Sequence, residues 1–268
     1  MSSPVRAVVA EELRRRKFYV LWWSVGILAL IAFTVLAYGS LKGQADELNK
    51  AFGSMSSSIS SFVGTGDMFS PTGYLNSQLF YITLPILFII LSVTLSGSLL
   101  RKEETHGTME LLLARPISRS QLLLAKALSG GSIIAVLTAV AAVSCILCSM
   151  AVHIDVSASH LLLTTVFMAL FSSAFGAVAF MLYAASRKTR SIAAVAAILL
   201  SLGGYIISSL GGMIDALAGI GRLFPYHYYD PGAMLEGHLS LGLIIYLAAL
   251  FGISIAAALL GFRRRDIG

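Results

Sequence analysis

Six stretches of this 268-residue chain contain no Asp, Glu, Lys or Arg: Phe18–Tyr38, Leu79–Leu100, Ala127–Val152, Leu161–Ser186, Ser191–Ile214 and Leu239–Phe262. Only 12% of the chain is charged and 57% is hydrophobic, whereas a soluble domain carries about 25% charged residues. The shortage of charge excludes an ordinary soluble globular domain. Each run exceeds the roughly 18–20 residues that cross about 30 Å of hydrocarbon as a helix. A helix also satisfies its own backbone hydrogen bonds in lipid. The expected fold is therefore all-α, a polytopic membrane protein whose six transmembrane helices form one domain over residues 1–268.

Other absences narrow the function. There are two cysteines, Cys145 and Cys148. They form a C-x-x-C inside the third run with no other thiol or His near in sequence, so they read as small hydrophobes rather than a redox or metal site. No Asp, Glu, Lys, Arg or His lies within a span. Proton- and ion-coupled transporters keep such groups there, so a secondary transporter or channel is disfavoured. No nucleophile–base pair or other reacting constellation marks a membrane-embedded hydrolase. The chain reads as no enzyme in its own right, and energy for transport would have to come from a partner.

The basic residues set the orientation. Arg6, Arg14, Arg15, Arg16 and Lys17 precede the first run, and Arg101, Lys102, Arg115, Arg119 and Lys126 lie between the second and third. Arg187, Lys188 and Arg190 follow the fourth, and Arg263, Arg264 and Arg265 follow the sixth. The opposite side holds only Lys42, Lys50 and Arg222. The positive-inside rule places both termini in the cytoplasm of a multi-pass protein of the plasma membrane. The net charge of +6 thus reflects topology, and no nucleic-acid partner is needed to explain it. A cleaved signal peptide is disfavoured, because the first run of 21 residues outlasts the 7–15 of a signal core.

The segments outside the spans carry patterns of their own. In the tail 1–17, Val5, Val8, Val9 and Leu13 recur at helical spacing between Glu11, Glu12 and the basic cluster. This predicts an amphipathic helix on the inner membrane surface, with Tyr19, Trp22 and Trp23 at the interface of the first span. Two external loops are long, 41–78 and 215–238. The first is rich in Ser and Gly, and its pattern allows a short amphipathic helix around Asp46–Phe52. The second contains Tyr226, Tyr228 and Tyr229, suited to an outer aromatic belt. His153, Asp155 and His160, with His227, Asp230, Glu236 and His238, could together offer metal ligands, but they read better as interfacial residues. Gly203, Gly204, Gly211 and Gly212 recur in the fifth run at helical spacing, as candidates for close helix packing or a dimer contact. Pro85 is expected to kink the second span.

The insert Glu103–Lys126, "EETHGTMELLLARPISRSQLLLAK", is too charged to enter lipid. Gly107 and Pro116 interrupt helices. Between them Thr108 can cap a short helix over about Met109–Ala114, with Glu110 in its first turn. After Pro116, Ser118 and Gln121 have the spacing of a capping box, so a second helix runs on into the third span. Leu111, Leu112 and Leu113 make the short helix apolar over most of its surface, which calls for burial against headgroups or a partner.

Residues 101–126 resemble the loop between the second and third spans of type-two ATP-binding-cassette (ABC) transporter permeases. The pattern is an acidic pair (Glu103, Glu104), Gly107–Thr108, Glu110, the Leu run, Pro116-x-Ser118-Arg119 and a downstream Lys126. The six-span plan, the N-terminal segment and Pro225–Tyr229 before the last span extend the likeness. The resemblance implies that Gly107, Thr108, Met109, Glu110, Leu112, Leu113, Pro116 and Arg119 belong to a coupling helix that docks on a separate ABC ATPase. Leu112 and Leu113 would fill its groove, Glu110 and Arg119 would fix the register, and Glu104 would anchor the end of the second span. It also implies two ATPase copies, which would hold ATP and Mg, and a second permease chain, identical or not. "LSGGS" at Leu128–Ser132 is similar to the signature of the ATPases themselves, but the chain has no G-x-x-x-x-G-K-[ST] phosphate cradle and should bind no cofactor. Gly130 and Gly131 are expected to serve helix packing. The resulting expectation is the permease of an ATP-driven exporter of an amphipathic or lipid-like substrate (drug, peptide, lipid or glycan). The other class is a non-transport scaffold or immunity protein that uses the insert only for docking.

Overall fold

The computed structural model describes residues 4–44, 47, 68–105, 118–185, 187–211 and 214–263. No strand occurs among the described residues. Six helices are long and apolar enough to cross a membrane. They are α2 (Lys17–Leu41), α4 (Thr83–Thr105), α5 (Arg119–Ala151), α6 (Ala158–Ala185), α7 (Arg187–Gly211) and α10 (Leu241–Arg263). Shorter helices are α1 (Pro4–Arg15), α3 (Pro71–Leu75), α8 (Asp215–Gly221) and α9 (Pro231–Leu235). The spans coincide with the six charge-free runs to within a few residues at most ends.

The second span departs from expectation. Its helix begins inside the loop 41–78. Pro71 starts α3 behind the cap Ser70, whose hydroxyl accepts the Gly73 N–H. A π-helical turn, Asn76–Phe80, then leads to a break at Tyr81–Ile82 before α4. Pro85 lies just inside α4. It has no N–H to donate to the carbonyl four residues back, that of Tyr81, which is where the helix is interrupted. The expected kink is therefore a break, placed one turn upstream of the proline. The suggested helix around Asp46–Phe52 lies outside the described residues except for Glu47.

The fourth span is the hub of the bundle. It packs against the second, third, fifth and sixth spans, while the first span packs mainly on the third. Its core residues Met168, Phe171, Ala174, Phe175 and Ala179 are fully or almost fully buried. The second and fourth spans approach so closely that a Cβ on Gly176 would lie 2.6 Å from Ser92 Cβ. Ser96 uses that proximity, donating to Gly176 O at 2.9 Å. Gly261 of the sixth span similarly meets the Ala185 backbone, 2.8 Å from an ideal Cβ. By contrast the first, fifth and sixth spans keep most of their surface outward, with Trp22, Phe33, Leu199 and Ile245 among the most exposed apolar side chains.

Candidate functional site

Two ends of the described chain frame the insert. The second span reaches Thr105, and the chain is described again from Ser118. Gly107, Thr108, Met109, Glu110, Leu112, Leu113 and Pro116 lie outside the described residues. Glu104 is in the last turn of α4 and Arg119 is the first residue of α5. The capping box is present: Ser118 Oγ accepts the Gln121 N–H at 3.2 Å, and Gln121 Oε1 accepts the Ser118 N–H at 3.0 Å. The third span therefore has a firmly satisfied start, directly after the insert.

Beside that start lies a buried ionic cluster. Along α1, Val5, Val8, Val9, Glu12 and Leu13 share one face by helical spacing, and Val8 and Glu12 are both 8% exposed. Arg14 and Arg15 stay outside and pair with Glu11. Glu12 Oε1 receives Lys126 Nζ at 2.5 Å, and Glu12 Oε2 receives Arg16 Nε at 3.0 Å. Arg16 also donates to Ser98 Oγ at 2.7 Å and to Ser98 O at 3.1 Å. Burial acts to raise the Glu12 carboxyl, but the bonds and charges of Lys126 and Arg16 together outweigh it and hold it below the usual glutamate range. The expected N-terminal helix is thus present over Pro4–Arg15, but it docks on the third span through a charge that sits on its otherwise apolar face.

A second feature lies within the spans. The second, third, fourth and sixth spans enclose a cavity of about 510 Å³. Its polar side chains are hydroxyls, and four of them, on Ser92, Ser96, Thr138 and Ser173, turn to the backbone. Ser92 Oγ bonds Ser172 O, Ser96 Oγ bonds Gly176 O, Thr138 Oγ1 bonds Ile134 O and Ser173 Oγ bonds Leu170 O. What remains for an occupant is an apolar wall. Leu162, Leu170 and Ile255 line it and are each more than one-third exposed, so the cavity is open rather than sealed.

At the other end of the bundle the aromatic residues point inward. Tyr226 and Tyr229, expected in an outer belt, are buried against the fourth span. Tyr229 stacks on Phe171 with centroids 4.2 Å apart and donates to Phe80 O at 2.7 Å. Tyr226 meets Phe171 edge-on at 4.7 Å. Burial pushes the Tyr226 phenol up to about 12. Only Tyr228 remains partly exposed, bonding Arg222 O. Gly204 makes room for this assembly, since a Cβ there would lie 2.8 Å from Phe224. Gly204 thus serves packing within the chain. Gly203 faces open space, Gly211 ends the fifth-span helix, and Gly212 lies outside the described residues. Of the LSGGS pair, a Cβ on Gly130 would lie 3.0 Å from Leu99, whereas one on Gly131 would meet nothing within 4 Å.

Among the described residues no three His, Cys, Asp or Glu side chains converge on a metal position. His160 lies against Gly237, with Nδ1 3.1 Å from Leu235 O.

A family model for the ABC-2 family transporter proteins matches residues 7–236. The chain belongs to the ABC-2 family. It is the transmembrane permease subunit of an ABC transporter, a multi-pass membrane protein that partners an ABC ATPase. No curated protein matches it. Within this ABC-2 permease, the insert is flanked on both sides by groups the sequence left unpaired. Lys126 stands out in the family pattern, but its partner lies in the N-terminal tail. A signal for it existed: Glu12 occupies the apolar face of α1, and an acid there requires a buried cation. Ser98 offers no such signal.

Proposed function

We propose that this chain is the permease of an ATP-driven exporter of an amphipathic or lipid-like substrate. It would work as a pair of permease chains with two ATPase chains in the cytoplasmic membrane, both termini inside. ATP and Mg belong to the ATPase, since the chain carries no phosphate cradle. The family membership carries this reading, together with the insert's flanks. One is the end of a long span, bonded to Arg16 just after the N-terminal helix, and the other is a capped start, bonded to Glu12 within that helix. A segment held so at both ends can transmit force. Residues 107–116 act as the coupling helix, with Leu112 and Leu113 in the ATPase groove and Arg119 and Glu110 fixing register.

The cavity supports the substrate class. A lining that is apolar but for five hydroxyls, four of them bonded to the backbone, favours a hydrocarbon tail over an ion or a sugar. The outward faces of the first and fifth spans, including the open position at Gly203, suit a second permease chain or lipid. The α1 helix, basic on its outer face, suits the inner headgroups.

The test is co-purification in mild detergent from cells that retain the chain's own genome. The wild type should bring a soluble subunit with a phosphate-cradle motif, and Leu112→Asp with Arg119→Glu should lose it. A folded wild type that brings no ATP-binding partner contradicts the reading. A partner whose hydrolysis is stimulated without cargo movement would favour the scaffold alternative.

A further inference from the structure

The Glu12 cluster joins four pieces of chain at one point. Glu12 belongs to α1. Arg16 is the single residue between α1 and the first span, outside helical geometry at φ −105° and ψ 12°. Ser98 lies about two turns before the end of the second span, and Lys126 lies about two turns inside the third. These last two spans are the two flanks of the insert. Arg16 holds the second-span flank through two bonds to Ser98, and Glu12 holds the third-span flank through Lys126. Glu12 and Arg16 hold each other at 3.0 Å. The side chains of Glu12, Arg16 and Lys126 are 11%, 14% and 3% exposed, so the bonds are weakly screened and directional.

Resting on the permease reading above, we infer that Glu12, with Arg16 and Lys126, is a positioning tie that passes motion of the insert to the first span. A displacement of the insert moves both its flanks. Both flanks are bonded to the hinge from which the first span starts. The first span makes few contacts with the second among the described elements, so at this end the tie supplies a polar connection from the second-span flank to it. α1 would be carried along as a lever docked on the third span, rather than as a free membrane float. Glu12 is the central member because it alone bonds both cations, Arg16 at the hinge and Lys126 on the third span.

The test uses the full chain with its ATPase in lipid nanodiscs. Cys145 and Cys148 are replaced by Ala, and spin labels are placed at Leu28→Cys in the first span and Ile253→Cys in the sixth. Both positions face outward, 52% and 65% exposed. In the parent, the label separation should differ between the nucleotide-free and the ATP-vanadate states. Glu12→Gln and Lys126→Met should each keep hydrolysing ATP yet lose that difference, and Lys126→Arg, which keeps the cation, should restore it. A purely structural role would lower stability without separating hydrolysis from movement. If a single variant assembles poorly, the double Glu12→Gln, Lys126→Met leaves no lone cation opposite the amide and reads the same quantity. Variants whose labels move as in the parent overturn the tie. A parent that brings no ATPase, or hydrolyses ATP with unmoved labels, defeats the permease reading, and the tie with it.

Discussion

Glu12 Oε1 lies 2.5 Å from Lys126 Nζ across 114 residues of sequence. A buried pair of this kind is costly to break from one side, because the remaining charge has left water without its partner. Lys126→Met should therefore destabilise the protein by about 3 kcal/mol, the lower end of the range of roughly 3–5 for such losses, since Arg16 still neutralises Glu12. Thermal unfolding in detergent reads this. The double variant with Glu12→Gln should cost less than the sum of the single changes.

The same carboxylate gives the stability a pH dependence. Its folded-state value is lowered, so its contribution is complete above the ordinary glutamate value of about 4.3 and is lost as pH falls through the lowered one. Melting temperature should hold from neutral pH and fall on the acid side. Glu12→Gln should flatten that fall. An unchanged acid limb in the variant would assign it to other carboxylates, such as Glu11.

Gly176 and Gly26 should respond differently to the same change. A Cβ at Gly176 would press on Ser92, 2.6 Å from its Cβ and 3.0 Å from its carbonyl carbon, whereas Gly26 meets nothing within 4 Å. Gly176→Ala should cost about 1–3 kcal/mol by overpacking and separate the second and fourth spans. Gly26→Ala should be neutral. The comparison of melting temperatures in one detergent decides it.

Tyr229→Phe removes the donor to Phe80 O while keeping the ring on Phe171. The loss should be about 0.5–1.5 kcal/mol, and Tyr229→Ala should lose several times that with the stacking and buried area. Equal effects of the two changes would mean that the hydroxyl carries the contact.

How much the sequence could tell depends on the range of the interaction. Span lengths, the Ser118–Gln121 capping box and the α1 helix follow from spacing within one or two turns, and all were legible. So was the family, because the insert's pattern is contiguous. The inward turn of Tyr226 and Tyr229 was not, since a Tyr between two spans suits either an interface or a core, and only the position of Phe171 on the fourth span decides. The role of Gly204 depends on Phe224 in the same way. The break at Tyr81–Ile82 is written in Pro85, but the π turn before it is not. Glu12 was readable as an anomaly on an apolar face, though nothing local names Lys126 as its partner.

Residues 107–116 are proposed to dock on the ATPase, and a cross-link reads that contact. In a background with Cys145→Ala and Cys148→Ala, Leu112→Cys should form a cross-link through a short bifunctional thiol reagent to a cysteine placed in the co-expressed ATPase groove. The yield should change between nucleotide-free and ATP-bound states, and an outward control such as Ile245→Cys should give none. A folded, membrane-inserted chain whose Leu112→Cys never cross-links to the ATPase in any nucleotide state would contradict the claim.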